Sequence, residues 1–246
     1  MKNIKLVIEY DGKDYNGWQK QPNKLNIQGE IERAIEEITG EEKIDLIASG
    51  RTDAGVHAFG QIANFKTNTK IPVEKLPIAI NSKLKKSVVI KSAEKVDERF
   101  HSRYNCKEKT YRYVINNSTQ GSAIYRNLEY HFPIKLNVEK MQEAIKYFEG
   151  EHDFKAFKSS GTSGKNSVRT IYKAEIKQDG EHINIELTGN GFLYNMVRII
   201  AGTLVDVGTG KIKPEDIPDI INSGDRTKAG KTLPAHGLFL VEVKYV

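Results

Sequence analysis

Apolar and polar residues alternate along IKLVIEY (4–10), and the alternation ends at Asp11-Gly12. A period of two closing on a turn dipeptide predicts a half-buried strand. The period then lengthens: Ile27, Ile31, Ala34, Ile35 and Ile38 fall on one helical stripe between Asn26, a capping residue, and Gly40. A helix is therefore expected to run to Thr39. KIDLIAS (43–49) and QIANFK (61–66) read as strands on either side of a glycine-punctuated segment. A helical segment is expected from Pro72 through Leu84, then a strand around 87–94.

The second half repeats this mixture. TYRYVIN (110–116) alternates aromatic and basic residues as a strand would, and Asn137 caps an amphipathic stripe of Val138, Met141, Ala144, Ile145 and Phe148 that ends at Gly150. Strands are expected at 169–178 and 181–188, a long apolar helix at 191–207, a short helix at 214–222, and a terminal strand in LFLVEVKYV. Neighbouring strands joined by short turns favour antiparallel pairing, so the fold class is α+β. Two similar subdomains are expected, 1–105 and 106–246, each with strands and helices in mostly antiparallel mixed sheets.

Composition narrows the function classes. The 246 residues suffice for a substantial core. The longest apolar stretch, GFLYNMVRIIAGTLVDV, is broken by Asn195 and Arg198, and MKNIKLVIEYDG lacks the apolar core of an export signal. Cys106 is the single cysteine, so neither an internal disulfide nor a cysteine-cluster metal site can form. A cytoplasmic location with no membrane contact is the expectation. The six histidines are widely spread, with no acidic ligand cluster, and no metal is expected. P-loop, G-x-G-x-x-G, G-x-S-x-G and H-E-x-x-H patterns are missing, which removes support for nucleotide-cofactor, hydrolase and zincin readings.

Charge changes the picture through its placement. The net charge of +6 is carried by Asn81–Arg112, where ten Lys/Arg face four acids. Phe100, Tyr104, Tyr111 and Tyr113 are interleaved with these bases. Cations for phosphates beside aromatic faces for unstacked bases suit structured or single-stranded RNA; a solvated lysine-rich surface is the alternative.

The segment ASGRTDAGVHAFGQIANF (48–65) raises the question of chemistry. Asp53 is either a turn aspartate bonded to nearby amides or a carboxylate kept ionised by Arg51 for use as nucleophile or general base. His57 reads as a turn or RNA-contacting residue. Arg198, in the middle of the apolar helix, needs a partner because an unpaired buried guanidinium is very costly. That partner is either a structural acid or a catalytic carboxylate. Tyr111, between Lys109 and Arg112 in its neighbourhood, is either a core tyrosine or a stacking surface for a base. A glycosidase or nuclease would require a second suitably placed carboxylate, and the motif contains only one acid.

GRTDAGVHAFGQ (50–61) resembles the catalytic motif of the TruA class of tRNA pseudouridine synthases. The resemblance continues in order through YDGKDYNGWQKQ (10–21), NIQGEIERAI (26–35), KTYRY (109–113), GEHDFKAF (150–157), GNGFLYNMVRIIAGTLVDVGTGK (189–211) and AHGLFLVEV (235–243). It implies the pseudouridine synthase fold, with an active-site cleft between subdomains. It implies Asp53 as catalytic aspartate, Arg51 beside it in the RNA cleft, and Arg198 paired with its carboxylate. Tyr111 would stack on the target base and act in proton transfer, and Leu238 would close the apolar wall. Lys109, Arg112 and His57 are expected among the substrate contacts. The resemblance further implies a homodimer without cofactor or metal, acting on uridines 38, 39 and 40 of the tRNA anticodon stem-loop with base flipping.

Overall fold

A computed structural model describes residues 1–160 and 166–245. In chain order its helices and strands are β1 (Lys2–Tyr10), α1 (Ile27–Thr39), β2 (Ile47–Ala48), β3 (His57–Thr67), α2 (Leu76–Asn81), β4 (Val88–Val96), β5 (Cys106–Asn116), β6 (Tyr130–His131), α3 (Val138–Ile145), β7 (Gly150–Asp153), β8 (Val168–Asp179), β9 (His182–Gly189), α4 (Met196–Gly208), α5 (Ile217–Ser223) and β10 (Leu238–Tyr245). The fold is α+β, with mostly antiparallel sheets flanked by helices. Two compact units form: Met1–Lys107 with Phe239–Val246, and Glu108–Leu238. A division in chain order keeps everything after residue 105 together. The packing instead returns the terminal strand to the first unit, where Phe239 registers against His57 in a parallel pairing.

In the first unit the strand order is β4-β1-β3-β10, with β2 on β3. Ile4, Leu6 and Ile8 are fully buried, as the alternation in β1 requires, and so is the stripe Ile27, Ile31, Ala34 and Ile35 of α1. Asn26 caps α1 by accepting from the Gly29 amide, and Gly40 ends it at a φ of 70°. The expected strand at 43–49 shrinks to Ile47–Ala48 because α1 takes its amides: Ile44 N–H donates to Glu36 and Leu46 N–H to Glu32. Asn3 and Asn64, both buried, bond to each other and fasten the segment after β4 through Asp97 O, Phe100 O and Ser102 N–H.

The second unit orders its strands β5-β9-β8-β7, with β6 on β5. Ile183, Ile185 and Leu187 alternate inward on β9, and Tyr111, Tyr113 and Ile115 do so on β5. Asn137 caps α3 through the Lys140 amide, and Met141, Ala144, Ile145 and Phe148 are buried as the stripe predicts. Helix α4 starts at Met196, five residues later than the apolar run suggests, because Asn195 adopts a left-handed φ of 61°. Gly202 and Gly230 let this helix meet the 229–233 segment backbone to backbone: a Cβ on Gly202 would lie 1.9 Å from Lys231 O.

Candidate active site

In the first unit, Asp53 occupies the opening position of a β-turn. Val56 N–H donates to Asp53 O (3.1 Å), and Gly55 supplies the positive φ of 77° that the third turn position needs. Arg51 is exposed, Asp53 half-buried, and Thr52 between them buried. The turn reading and the chemical reading of Asp53 therefore coexist, since the turn leaves the residue reachable from solvent.

This turn rests on the residues after β1. Trp18 N–H donates to Thr52 O (3.0 Å), Gly55 N–H to Tyr15 O (3.4 Å), and the Tyr10 hydroxyl bonds Thr52 Oγ1 (2.7 Å). Burial pushes the Tyr10 phenol well above its ordinary range, so it stays protonated as a hydrogen-bonding group. The two loops are too close for side chains between them. A Cβ on Gly12 would stand 1.9 Å from Val56 O, and one on Gly17 would stand 2.5 Å from Thr52 O at a φ of +82°. From the other side, Gln61 accepts from Ser49 Oγ (2.7 Å) and donates to Gly50 O (3.0 Å), fixing the chain that enters the turn.

His57 is 2% exposed. Its Nδ1 accepts from Gly12 N–H (3.1 Å) and lies 3.0 Å from Asp11 Oδ1, while its ring stacks on Phe239 at 4.8 Å. The sequence marked the turn, but it did not mark Tyr10, Gly12, Gly17 and Gln61 as its supports. The available signal was two glycines spaced through YDGKDYNGWQ, a pattern equally at home in any turn.

The second unit carries the remaining expected residues. Tyr111 is 9% exposed, packed edge-on against Phe192 (5.1 Å) and opposite Leu187 on β9. Leu238 is buried. The Arg198 guanidinium donates to two neutral oxygens: Nε to Leu233 O (2.6 Å) and Nη1 to Asn195 Oδ1 (2.7 Å). Its charge lowers the pKa of His236, after burial, and acts against the burial that keeps the Tyr113 phenol protonated. Arg112 pairs with Glu186, its register partner on β9, at 2.6 Å. Lys109 lies opposite Gly189 at the start of the same ladder, half-buried.

Among the described residues no three His, Cys, Asp or Glu side chains gather as metal ligands would, and no helix is long and apolar enough to cross a membrane.

Comparison with known proteins adds the family. The sequence pattern of the family described as "tRNA pseudouridine synthase" matches residues 6–105 and 144–246. Proteins named "tRNA pseudouridine synthase A" from Caldicellulosiruptor bescii, Acetivibrio thermocellus and Clostridium acetobutylicum are 56%, 54% and 52% identical over 245 residues, covering 100% of each chain. The chain belongs to the tRNA pseudouridine synthase family.

Proposed function

We propose that this protein isomerises uridine to pseudouridine in tRNA, at positions 38, 39 and 40 of the anticodon stem-loop, as a cytoplasmic homodimer. The observation that carries this reading is the mounting of Asp53. A single carboxylate, half-buried, stands on a turn fixed by contacts from Tyr10, Tyr15, Trp18 and Gln61. Such fixation suits a group that must meet a reacting atom within a few tenths of an ångström.

The reaction breaks the bond between ribose C1′ and uracil N1, turns the base, and joins C1′ to C5. The C5 proton leaves and N1 regains one, with no net oxidation and no external group transferred. One carboxylate acting as nucleophile or base meets that need. The target uridine leaves its stack, at a cost of a few kcal/mol that phosphate contacts offset. Arg51, exposed beside Asp53, is assigned to the RNA and to the space the base vacates. Tyr111 is assigned to the face of the flipped base and to the later proton transfer, Leu238 to the apolar wall, and Arg198 to holding the Asp53 carboxylate ionised. These four roles rest on the family likeness. Lys109 and Arg112 are assigned to the phosphates; for Arg112 this requires sharing its guanidinium with Glu186. His57, with its ring buried, contributes to binding through the loop that it holds.

The test is pseudouridine mapping in a tRNA transcript incubated with wild type and with Asp53→Ala. Wild type should form pseudouridine in the anticodon stem-loop and the variant none. If wild type forms none while still binding tRNA, the protein is an RNA-binding member without this activity. If Asp53→Ala stays fully active, another group does the chemistry.

A further inference from the structure

We infer that His57 is a positioning residue for Asp53: its Nδ1 clamps the loop after β1 onto the catalytic turn. This rests on the assignment of Asp53 made above. Gly12 N–H can only donate, and at 3.1 Å the imidazole Nδ1 is its acceptor. Asp11 Oδ1 also lies 3.0 Å from Nδ1 and accepts from Lys13 N–H at 3.0 Å, so the same nitrogen faces both ends of the Asp11-Gly12 dipeptide.

The bond matters because of where Gly12 stands. Its Cα has Val56 O so close that a Cβ would fall 1.9 Å from it, so the Gly12 backbone lies directly on the turn that begins at Asp53. His57 follows Val56 immediately. One imidazole nitrogen thus ties the entry of one loop to the exit of the other. Further ties, at Thr52 and Gly55, come from Tyr10 before that loop and from Tyr15 and Trp18 further along it. Without the acceptor, a buried Gly12 amide lies unsatisfied beside the turn, and the loop must shift to find another partner. A displacement near 1 Å at a reacting group costs on the order of 100-fold in rate.

The ring has a second, separable function. Stacked on Phe239, it fills the first unit next to β10 at 2% exposure. Removing the ring therefore lowers stability whether or not the clamp matters, and the experiment must divide the two effects. His57→Ala removes both acceptor and stack. His57→Asn places an amide oxygen where Nδ1 stood and restores only the acceptor. Phe239→Leu removes the stack and leaves the acceptor. Each full-length variant is assayed on tRNA, with KM, kcat and thermal midpoint measured.

The expected result is that all three variants melt lower than wild type, while only His57→Ala loses turnover. Its kcat should fall about 10- to 100-fold, with a smaller rise in KM from the loop's part in binding. His57→Asn and Phe239→Leu should keep kcat within about threefold of wild type. Equal kcat losses in His57→Ala and His57→Asn would overturn the inference, as would a His57→Ala kcat within threefold of wild type. If His57→Ala does not fold, His57→Leu against His57→Asn supplies the same comparison. A wild type that forms no pseudouridine defeats the assignment of Asp53 instead, which keeps the two failures apart.

Discussion

In the function proposed above, the Asp53 turn and the basic stretch Asn81–Arg112 bring different resources to an RNA. In the turn, the backbone that carries one carboxylate is fixed by several short contacts from residues distant in sequence, and glycines bring backbone against backbone. In the basic stretch the resource is spread over ten cations. Lys83, Lys85, Lys91, Arg99 and Arg112 lie within 4.0 Å of Glu37, Glu30, Glu9, Asp97 and Glu186. Lys86, Lys95, Arg103 and Lys107 are exposed to solvent. The turn thus concentrates its function in geometry, where one atom out of place matters. The basic stretch distributes it in charge, where single losses are small and salt weakens the whole.

This contrast is open to breaking. The largest effect is expected at Gly12. Gly12→Ala forces a Cβ onto Val56 O and should cost about 3 kcal/mol or more and abolish pseudouridine formation. Urea denaturation and the tRNA assay check both, and a well-folded, active variant would show that the two loops are not locked together. Gln61→Leu comes next. It removes the bonds to Ser49 Oγ and Gly50 O inside the first unit, and should cost about 1–3 kcal/mol with a clear drop in kcat.

In the basic stretch, replacing Lys86, Lys95 and Lys107 together by Gln should weaken tRNA binding and flatten its salt dependence by up to about 0.9 for each phosphate that is no longer neutralised. The same replacement at Lys83, Lys85 and Lys91, which already face acids, should change the slope less. Equal slopes would mean that ion pairing on the surface does not decide which cations reach the phosphates. The smallest effect belongs to a surface charge cluster outside that stretch. Lys173 and Lys177 donate to Glu175 and hold its carboxyl below the usual range. A depressed pKa stabilises above the unfolded value and loses that contribution as pH falls through the folded one. Glu175→Gln should therefore be slightly less stable than wild type near neutrality, with the difference disappearing as pH falls through the lowered pKa of Glu175, read as urea midpoints.

The same contrast explains what was legible in the sequence. Caps and stripes depend on neighbours in the chain, so Asn26, Asn137 and the faces of α1 and α3 were readable from spacing. The start of α4 was not, since the apolar run continues through Asn195 while its backbone turns left-handed. Nor was the shortening of β2, which Glu32 and Glu36 impose from another element. At the site, the motif around Asp53 gave the turn and the candidate acid. Its braces were hidden because Gly12 and Gly17 matter only once two loops are pressed together. A guanidinium inside an apolar helix requires partners, and Arg198 has them. Periodicity could not show that Leu233 O and Asn195 Oδ1 would be among them.

The central claim is that a fixed carboxylate at residue 53 carries the chemistry while the surrounding surface carries the binding. Asp53→Asn tests it most directly, because the amide keeps the shape of the side chain and loses its charge and basicity. Single-turnover assays with tRNA, read by pseudouridine formed alongside tRNA bound, should show binding within a few-fold of wild type and no detectable product. Product formed at the wild-type rate by Asp53→Asn would contradict the account.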